Sequence, residues 1–149
     1  MAVAHGWQVY GVELVPELMR PFQRKFKLFA GNIFSQRFID VQTQFNDNTF
    51  DVISAIDVIE HFEEPRRDAS AIYRLLKPGG LFVAQTPDGA AKQAEALKER
   101  WGALKPLEHL HLFNANNLEI FAKQLGFAET KFFPPFEAAD GNLVAVMKK

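Results

Sequence analysis

The 149-residue chain contains no cysteine. That removes disulfides, thiolate nucleophiles and cysteine-ligated zinc together, so any metal would have to be held by histidines and carboxylates. A charge excess is also missing: 17 Lys and Arg stand against 18 Asp and Glu, a formal net charge of -1. Nothing therefore draws a polyanion from a distance, and the basic groups Arg24-Lys25-Phe26-Lys27 and Arg66-Arg67 are small. No nucleic-acid partner is expected. No apolar run approaches the roughly 20 residues of a membrane span, and the N-terminus lacks a charged segment leading into a long apolar one. The expectation is a soluble protein in the reducing cytoplasm, with no membrane partner. Three catalytic signatures are absent as well: the Gly-x-Ser-x-Gly elbow, the lysine-bearing phosphate loop and the His-Glu-x-x-His zinc helix.

What is present suits one globular core. Hydrophobic residues make up 48% of the chain and charged residues 23%, which argues against disorder and makes a single domain over residues 1–149 the expected organisation. Most of the 15 phenylalanines fall at core periodicity, while Phe132-Phe133-Pro134-Pro135-Phe136 is a candidate for partial exposure. No internal repeat or low-complexity segment occurs.

Strand and helix patterns alternate from end to end, the signature of parallel α/β units. Trp7 to Val12 reads as a strand ending at Glu13, Pro16 to Phe26 as a helix, and Lys27 to Ala30 as a short strand followed by Gly31-Asn32-Ile33. Asp51 to Ile56 is almost continuously apolar, which predicts a strand covered on both faces and not an edge strand. Pro65 to Leu76 places Ala69, Ile72, Tyr73 and Leu76 on one helical face. Lys77-Pro78-Gly79-Gly80 then stops the helix and turns the chain into a strand, Leu81 to Gln85, because proline cannot continue a helix and glycine accepts positive φ. A further helix is expected over Ala90 to Trp101. Asn114 is the predicted N-cap of a helix Ala115 to Leu125, with Gly126 as its stop. Thr130 to Phe133 and Leu143 to Met147 predict a closing antiparallel hairpin, and its connection is long enough to be a functional loop.

The strand Phe50 to Ile56 ending in Asp57-Val58-Ile59-Glu60-His61, followed by Leu76-Lys77-Pro78-Gly79-Gly80-Leu81-Phe82-Val83, resembles the class I S-adenosylmethionine-dependent methyltransferases. The likeness extends from about Gly6 onward. It implies a Rossmann-like α/β fold, a mostly parallel sheet with a C-terminal antiparallel hairpin, and S-adenosylmethionine as cofactor with a small-molecule substrate. In such sheets ligands bind beyond the carboxyl ends of the strands. The resemblance accordingly gives Glu13 the ribose hydroxyls, Asn32 and Ile33 the adenine, and Ile56 and Asp57 the methionine part of the donor. An acidic group at a strand end equally suits a solvated helix start, and Asn after Gly is a common turn pair.

His61 and His109 are the candidate catalytic residues. Imidazole exchanges protons near neutrality, so either can orient a substrate hydroxyl or act as general base; a structural histidine between Glu60 and Glu64 is the bland reading of the first. Thr86-Pro87-Asp88 resembles the segment bordering the substrate pocket, although Asp-Gly is also a turn pair and the turn is favoured. Trp101, Phe113 and His109 are candidate pocket walls. The broad group with this pattern is metal-free, and no metal ligand is assigned. An alternative is a metal-assisted O-methyltransferase, since Asp57, Glu60 and His61 with Glu108, His109 and His111 resemble the metal-holding residues of small-RNA 2′-hydroxyl and quinone-precursor methyltransferases.

The same resemblance places a first strand with a Gly-x-Gly-x-Gly turn upstream, in the middle of the sheet, and these 149 residues contain no such turn. The expectation is a domain missing its first strand, with weak or absent donor binding and impaired activity, whose open strands are compensated by a homodimer. Two other readings stay open. One is a non-catalytic interaction or scaffold protein derived from the fold; the other is a nicotinamide-dinucleotide enzyme, because Glu13 also suits the ribose of that cofactor.

Overall fold

The alternation written in the sequence produces two separate sheets. A computed structural model describes residues 6–19, 32–134 and 141–149, and the chain divides into two compact units, Met1–Phe45 and Asn46–Lys149.

In the first unit, β1 (Gly11–Val12) and β2 (Ile33–Phe34) pair in parallel, Gly11 opposite Ile33 and Val12 opposite Phe34. The Gly11 N–H donates to the Asn32 carbonyl at 2.9 Å and the Glu13 N–H to that of Phe34 at 3.0 Å. A helical turn at 16–19 follows β1, and α1 (Phe38–Val41) follows β2. Tyr10 and Phe34 both meet Phe45 edge-on, at 5.1 and 6.0 Å between ring centroids. Two expectations shift here. The strand anticipated over 7–12 is confined to the two residues that find a ladder partner among the described residues. Ile33, expected just beyond a strand, lies within one. The predicted strand 27–30, Gly31 and the remainder of the helix 16–26 lie outside the described residues.

The second unit contains β3 (Phe50–Ile56), α2 (Pro65–Leu75), β4 (Leu76–Pro87), α3 (Lys92–Leu97), α4 (Ala115–Leu125), β5 (Glu129–Phe133) and β6 (Asn142–Lys148). Its sheet runs β3-β4-β6-β5. Strands β3 and β4 are parallel and joined through α2, whereas β6 is antiparallel to both of its neighbours. The mixed α/β class with a closing hairpin is thus the observed fold.

Helix α4 forms where its end signals and apolar stripe place it; α2 starts as expected but ends at Leu75, and Leu76, expected on its apolar face, is extended and already opens β4, ahead of the Lys77-Pro78-Gly79-Gly80 stop. Pro65 occupies the first turn of α2, which buries Ala69, Ile72 and Leu75. In α4 the Asn114 side chain accepts from the Asn117 N–H at 3.0 Å, and the Asn117 side chain accepts from the Asn114 N–H at 2.8 Å. This reciprocal cap satisfies two otherwise orphaned donors, and a left-handed Gly126 closes the other end. Between the helices and the sheet, Phe127 stacks on Phe82 at 6.2 Å and receives the edge of Tyr73 at 5.1 Å. The helix expected over 90–101 is shorter. Its α-helical part ends at Leu97, where Lys98 takes φ 48° and ψ -121°, outside the α region, and a 3-10 turn, Lys98–Arg100, completes the segment.

The Lys77-Pro78-Gly79-Gly80 turn is a loop bulged out of one continuous strand. Phe50 pairs with Leu76 and Val52 with Leu81, so residues 77–80 of β4 face the single residue Asp51 on β3. The Lys77 ammonium closes the loop on the Asp51 carboxylate at 2.8 and 2.9 Å, and the Gly79 N–H donates to the Lys149 carbonyl at 3.0 Å. Gly79 sits at φ +78°, and a Cβ on Gly80 would lie 2.9 Å from the Lys77 carbonyl oxygen and 3.2 Å from those of Phe50 and Asp51. The two glycines are therefore required for different reasons, one for conformation and the other for space.

One expectation about the sheet is overturned. Strand β3 reads as covered on both faces, yet among the described residues it pairs only with β4 and forms the edge of its sheet, with Ile56 41% exposed. An apolar run records the surroundings a strand is suited to, and here only one flank is filled.

Gly80→Ala is expected to destabilise the fold by about 1–3 kcal/mol, since the obstructing atoms are backbone and cannot rotate away. Gly79→Ala should cost about 1–2 kcal/mol through left-handed strain alone. Urea denaturation of both variants measures this, and a loss below about 0.5 kcal/mol for Gly80→Ala would show that the bulge relaxes freely.

Candidate functional site

The first unit holds a cavity of about 260 Å³ lined by Val9, Tyr10, Gly11, Val12, Glu13, Leu18, Met19 and Ile33. Two of the predicted donor residues, Glu13 and Ile33, thus share one concavity at the ends of a parallel strand pair. Ile33 reaches it because its side chain packs over Gly11; a Cβ there would stand 3.7 Å from Ile33 Cγ1. One oxygen of Glu13, Oε1, accepts the Val15 N–H at 2.9 Å, which fixes the carboxylate at the strand end. Asn32 is not among the lining residues; its Nδ2 donates to the carbonyl of Val9, which is one, at 3.2 Å.

The second unit gathers its polar groups beyond the carboxyl ends of β3 and β4. Ile56 is the last residue of β3, opposite Gln85. Asp57 follows in a left-handed conformation, φ 53°, with its N–H donating to the Gln85 carbonyl at 2.9 Å and its side chain exposed. A 3-10 turn, Ile59–His61, comes next and buries Glu60 to 1% exposure. The fully buried Thr86, at the end of β4, donates its hydroxyl to Glu60 Oε2 at 3.0 Å. The other carboxylate oxygen, Oε1, has no hydrogen-bond partner among the described residues.

The Glu60 backbone draws a distant loop onto this turn. Its carbonyl accepts the N–H groups of Leu110 at 2.9 Å and His111 at 3.1 Å. His61 and His109 are thereby brought together edge to face, 4.8 Å between ring centroids. Each ring is held at its Nδ1 by a carbonyl oxygen, His61 by Glu108 and His109 by Ala103, both at 2.7 Å. A carbonyl only accepts, so each Nδ1 carries the hydrogen, and in the neutral ring the lone pair belongs to Nε2. His61 Nε2 lies 4.0 Å from Glu60 Oε1. The facing atoms of Glu60, His61 and His109 all fall within 4.8 Å of one another.

The geometry sorts the other sequence candidates. His111 turns aside, its Nε2 donating to the Phe62 carbonyl at 2.9 Å, and the Glu108 carboxylate faces Lys105 at 3.7 Å. Asp88 forms the anticipated turn, its side chain accepting the Ala90 N–H at 2.9 Å. Trp101 and Phe113 are buried in the core, Phe113 beside Phe121 at 6.1 Å. Sequence reasoning missed the Thr86–Glu60 bond and the two carbonyls that orient the imidazoles. The contacts from Thr86 to Glu60 and from His61 to Glu108 span 26 and 47 residues, and no short motif encodes them.

Comparison with known proteins joins this geometry to a family. A family model described as a methyltransferase domain matches residues 1–131. Phosphoethanolamine N-methyltransferase 2 of Caenorhabditis elegans is 36% identical over 56 residues; the match covers 37% of this chain and 13% of that protein. Among solved structures, an S-adenosylmethionine-dependent methyltransferase from Archaeoglobus fulgidus superposes with a TM-score of 0.77 at 16% identity, covering 99% of this chain and 79% of that one. The 1,6-didemethyltoxoflavin-N1-methyltransferase of Burkholderia thailandensis, solved with 1,6-didemethyltoxoflavin and S-adenosylhomocysteine, gives a TM-score of 0.65 at 18% identity, covering 99% and 63%. These likenesses are ones of fold.

Thr86→Val is expected to destabilise the chain by about 1.5–3 kcal/mol, because it leaves the buried Glu60 carboxylate without its hydroxyl donor, and Thr86→Ser should recover most of the loss. Equal stability of the Val variant and the parent in denaturant titration would mean that the bond contributes nothing. With a fold shared with the S-adenosylmethionine-dependent enzymes and a family model matching most of its length, the chain belongs to the methyltransferase domain family.

Proposed function

We propose that the chain binds S-adenosylmethionine and serves in methyl transfer to a small molecule. The observation that carries this reading is the first-unit cavity, where an anchored carboxylate and a branched apolar side chain meet at the ends of parallel strands. A carboxylate accepts several hydrogen bonds, so Glu13 can hold the Val15 N–H and a ribose hydroxyl together. Ile33 offers an apolar surface to the adenine. The Nδ2 of Asn32 is engaged by Val9, which leaves its side-chain oxygen as the acceptor for the exocyclic amine. In the second unit, Ile56 and Asp57 are assigned to the methionine end of the donor, and His61 and His109 to the methyl acceptor.

When bound, the donor supplies a methyl group already activated by its sulfonium. The residues then have to align the acceptor and keep water out, and proximity and desolvation supply most of the rate enhancement. His61 and His109 fit that task because both rings are oriented by carbonyls through Nδ1, with Nε2 left to accept a hydrogen bond or a proton from a hydroxyl or amine. A small-molecule acceptor is supported by the toxoflavin-precursor enzyme among the structural neighbours. The comparisons favour none of the alternatives, whether a nicotinamide-dinucleotide enzyme, a non-catalytic scaffold or a metal-assisted O-methyltransferase.

The proposal includes weak donor binding by these 149 residues, since they hold no Gly-x-Gly-x-Gly turn to bring backbone N–H groups to the methionine carboxylate. It also includes self-association through residues 52–56 of β3, whose outer edge carries no strand among the described residues; sedimentation equilibrium of the chain reports that directly. Calorimetric titration with S-adenosylhomocysteine tests the donor site. Binding weaker than low micromolar is expected, and Glu13→Ala should weaken it a further ten- to hundredfold, the value of a charge-assisted hydrogen bond. Unchanged affinity in that variant would remove Glu13 from the ribose site, and a low-micromolar dissociation constant for the parent would refute weak binding.

A further inference from the structure

We propose that the methyl acceptor is a primary amine, bound as its ammonium ion by Glu60, His61 and His109. This inference rests on the reading that the two histidines face the acceptor, and it fixes the class of group that they hold. The argument begins with the buried carboxylate. Glu60 is 1% exposed, only one of its oxygens is hydrogen-bonded, and Oε1 has no partner among the described residues. A buried carboxylate oxygen calls for a donor. The basic side chains closest in sequence do not supply one: Arg66 reaches Gln124, Arg67 reaches Glu64 and Asp68, and Lys105 faces Glu108.

The groups beside Oε1 are acceptors too. With each Nδ1 donating to a carbonyl, the neutral rings of His61 and His109 keep their lone pairs on Nε2. A hydroxyl carries a single hydrogen and would leave two of the three acceptors unanswered. A primary ammonium carries three hydrogens and a positive charge, so it answers all three and balances the carboxylate. The spacing agrees. Acceptors about 2.9 Å from one tetrahedral nitrogen stand roughly 4.7 Å apart, and the facing atoms of the cluster lie within 4.8 Å of one another, with His61 Nε2 and Glu60 Oε1 at 4.0 Å. The His61 side chain is 42% exposed, which opens the cluster to solvent. Exposed apolar side chains flank it along the chain: Val58, two residues before Glu60, and Leu110, whose N–H is held by the Glu60 carbonyl. They suit an amine carried on an apolar body.

The same atoms take part in the chemistry, because aliphatic amines are largely ammonium ions at neutral pH and an ammonium ion has no lone pair to attack a methyl group. One N–H proton passes to an imidazole Nε2, of His61 or His109, leaving a neutral amine and an imidazolium beside the Glu60 carboxylate. The nitrogen lone pair then forms the new C–N bond as the methyl–sulfonium bond breaks, its electron pair going to sulfur. The product is a secondary ammonium ion, and the imidazolium returns its proton to solvent.

The test follows the imidazole C–H signals of His61 and His109 by NMR in the whole 149-residue chain, titrated with hexylamine, hexan-1-ol and hexanoate. These probes share an apolar body and differ in the head group. Hexylamine is expected to shift both signals along a saturating curve and to bind at least about tenfold more tightly than hexan-1-ol, with hexanoate leaving them in place. Glu60→Gln should reduce that preference at least about tenfold, whereas damage to the fold alone would weaken amine and alcohol alike. His61→Ala, at an exposed position, should lower amine affinity at least about fivefold with its circular dichroism unchanged, and decides the matter if Glu60→Gln does not fold. His111→Ala, whose Nε2 is engaged by Phe62, should leave amine binding as it is. Equal response of the folded parent to amine and alcohol, response to neither, or full amine affinity in folded His61→Ala overturns the proposal. The titration needs no donor, so it separates from calorimetry with S-adenosylhomocysteine. Donor binding without amine preference removes this inference and leaves methyl transfer standing; amine preference without donor binding does the reverse.

Discussion

The burial of the Glu60 carboxylate is the constraint around which the second unit is arranged. Leaving a carboxylate in the interior with too few partners costs several kcal/mol, so the fold must bring donors or positive charge to it. Thr86 answers for one oxygen from the end of the central strand β4. The backbone of the same residue answers for something else: its carbonyl receives Leu110 and His111 and so fixes a loop that has little regular structure of its own. A single residue in a three-residue 3-10 turn thus ties β4, the β3 exit and the histidine loop together, and His61 and His109 face each other as a consequence.

The position of Thr86 depends in turn on the register of β4, which the bulge at Lys77 to Gly80 sets. Upstream of the bulge Leu76 faces Phe50, and downstream Leu81 faces Val52. A one-residue slip in a strand would turn every side chain to the opposite face. Thr86 would then leave Glu60, and Gln85 would replace it. The lysine, proline and two glycines of the turn, of which the nearest, Gly80, is about 20 Å of extended chain from Thr86 at about 3.3 Å per residue, would not themselves touch ligand. They decide which residues do.

Much of this was legible in the sequence, for identifiable reasons. In α4 stripe and end signals are complete, and in α2 the start signal and most of the stripe hold, so local pattern and tertiary demand agree there; Pro65, Asn114 and Gly126 all act where their chemistry places them. Glu13 and His61 follow strand ends, where open α/β sheets concentrate ligand contacts, so position alone marks them as candidates; Ile33 lies within β2 and His109 in a loop, and only the family resemblance singled them out. Other features were hidden. Leu97 ends α3 where Lys98, a residue with no turn preference to announce it, leaves the α region. The edge position of β3 and the two-residue length of β1 depend on which neighbours are present, and a strand's own residues do not encode that. By sequence Thr86 reads as part of a substrate-bordering segment, whereas its hydroxyl is committed to Glu60.

The division between what motifs reveal and what they conceal follows from the chemistry. Methyl transfer from a sulfonium requires alignment more than proton transfer, so selection acts on shape and leaves few fixed side chains for a sequence reader to find. An acceptor-rich cluster obeys a different rule. Its members must be positioned to within about half an ångström, and the atoms that position them are backbone carbonyls, which any residue provides. Glu108 and Ala103 serve His61 and His109 through groups that carry no side-chain identity. The orientation of both rings is therefore invisible to any inspection of residue types, and the bare Oε1 of Glu60 becomes apparent only when every neighbouring donor is accounted for in three dimensions.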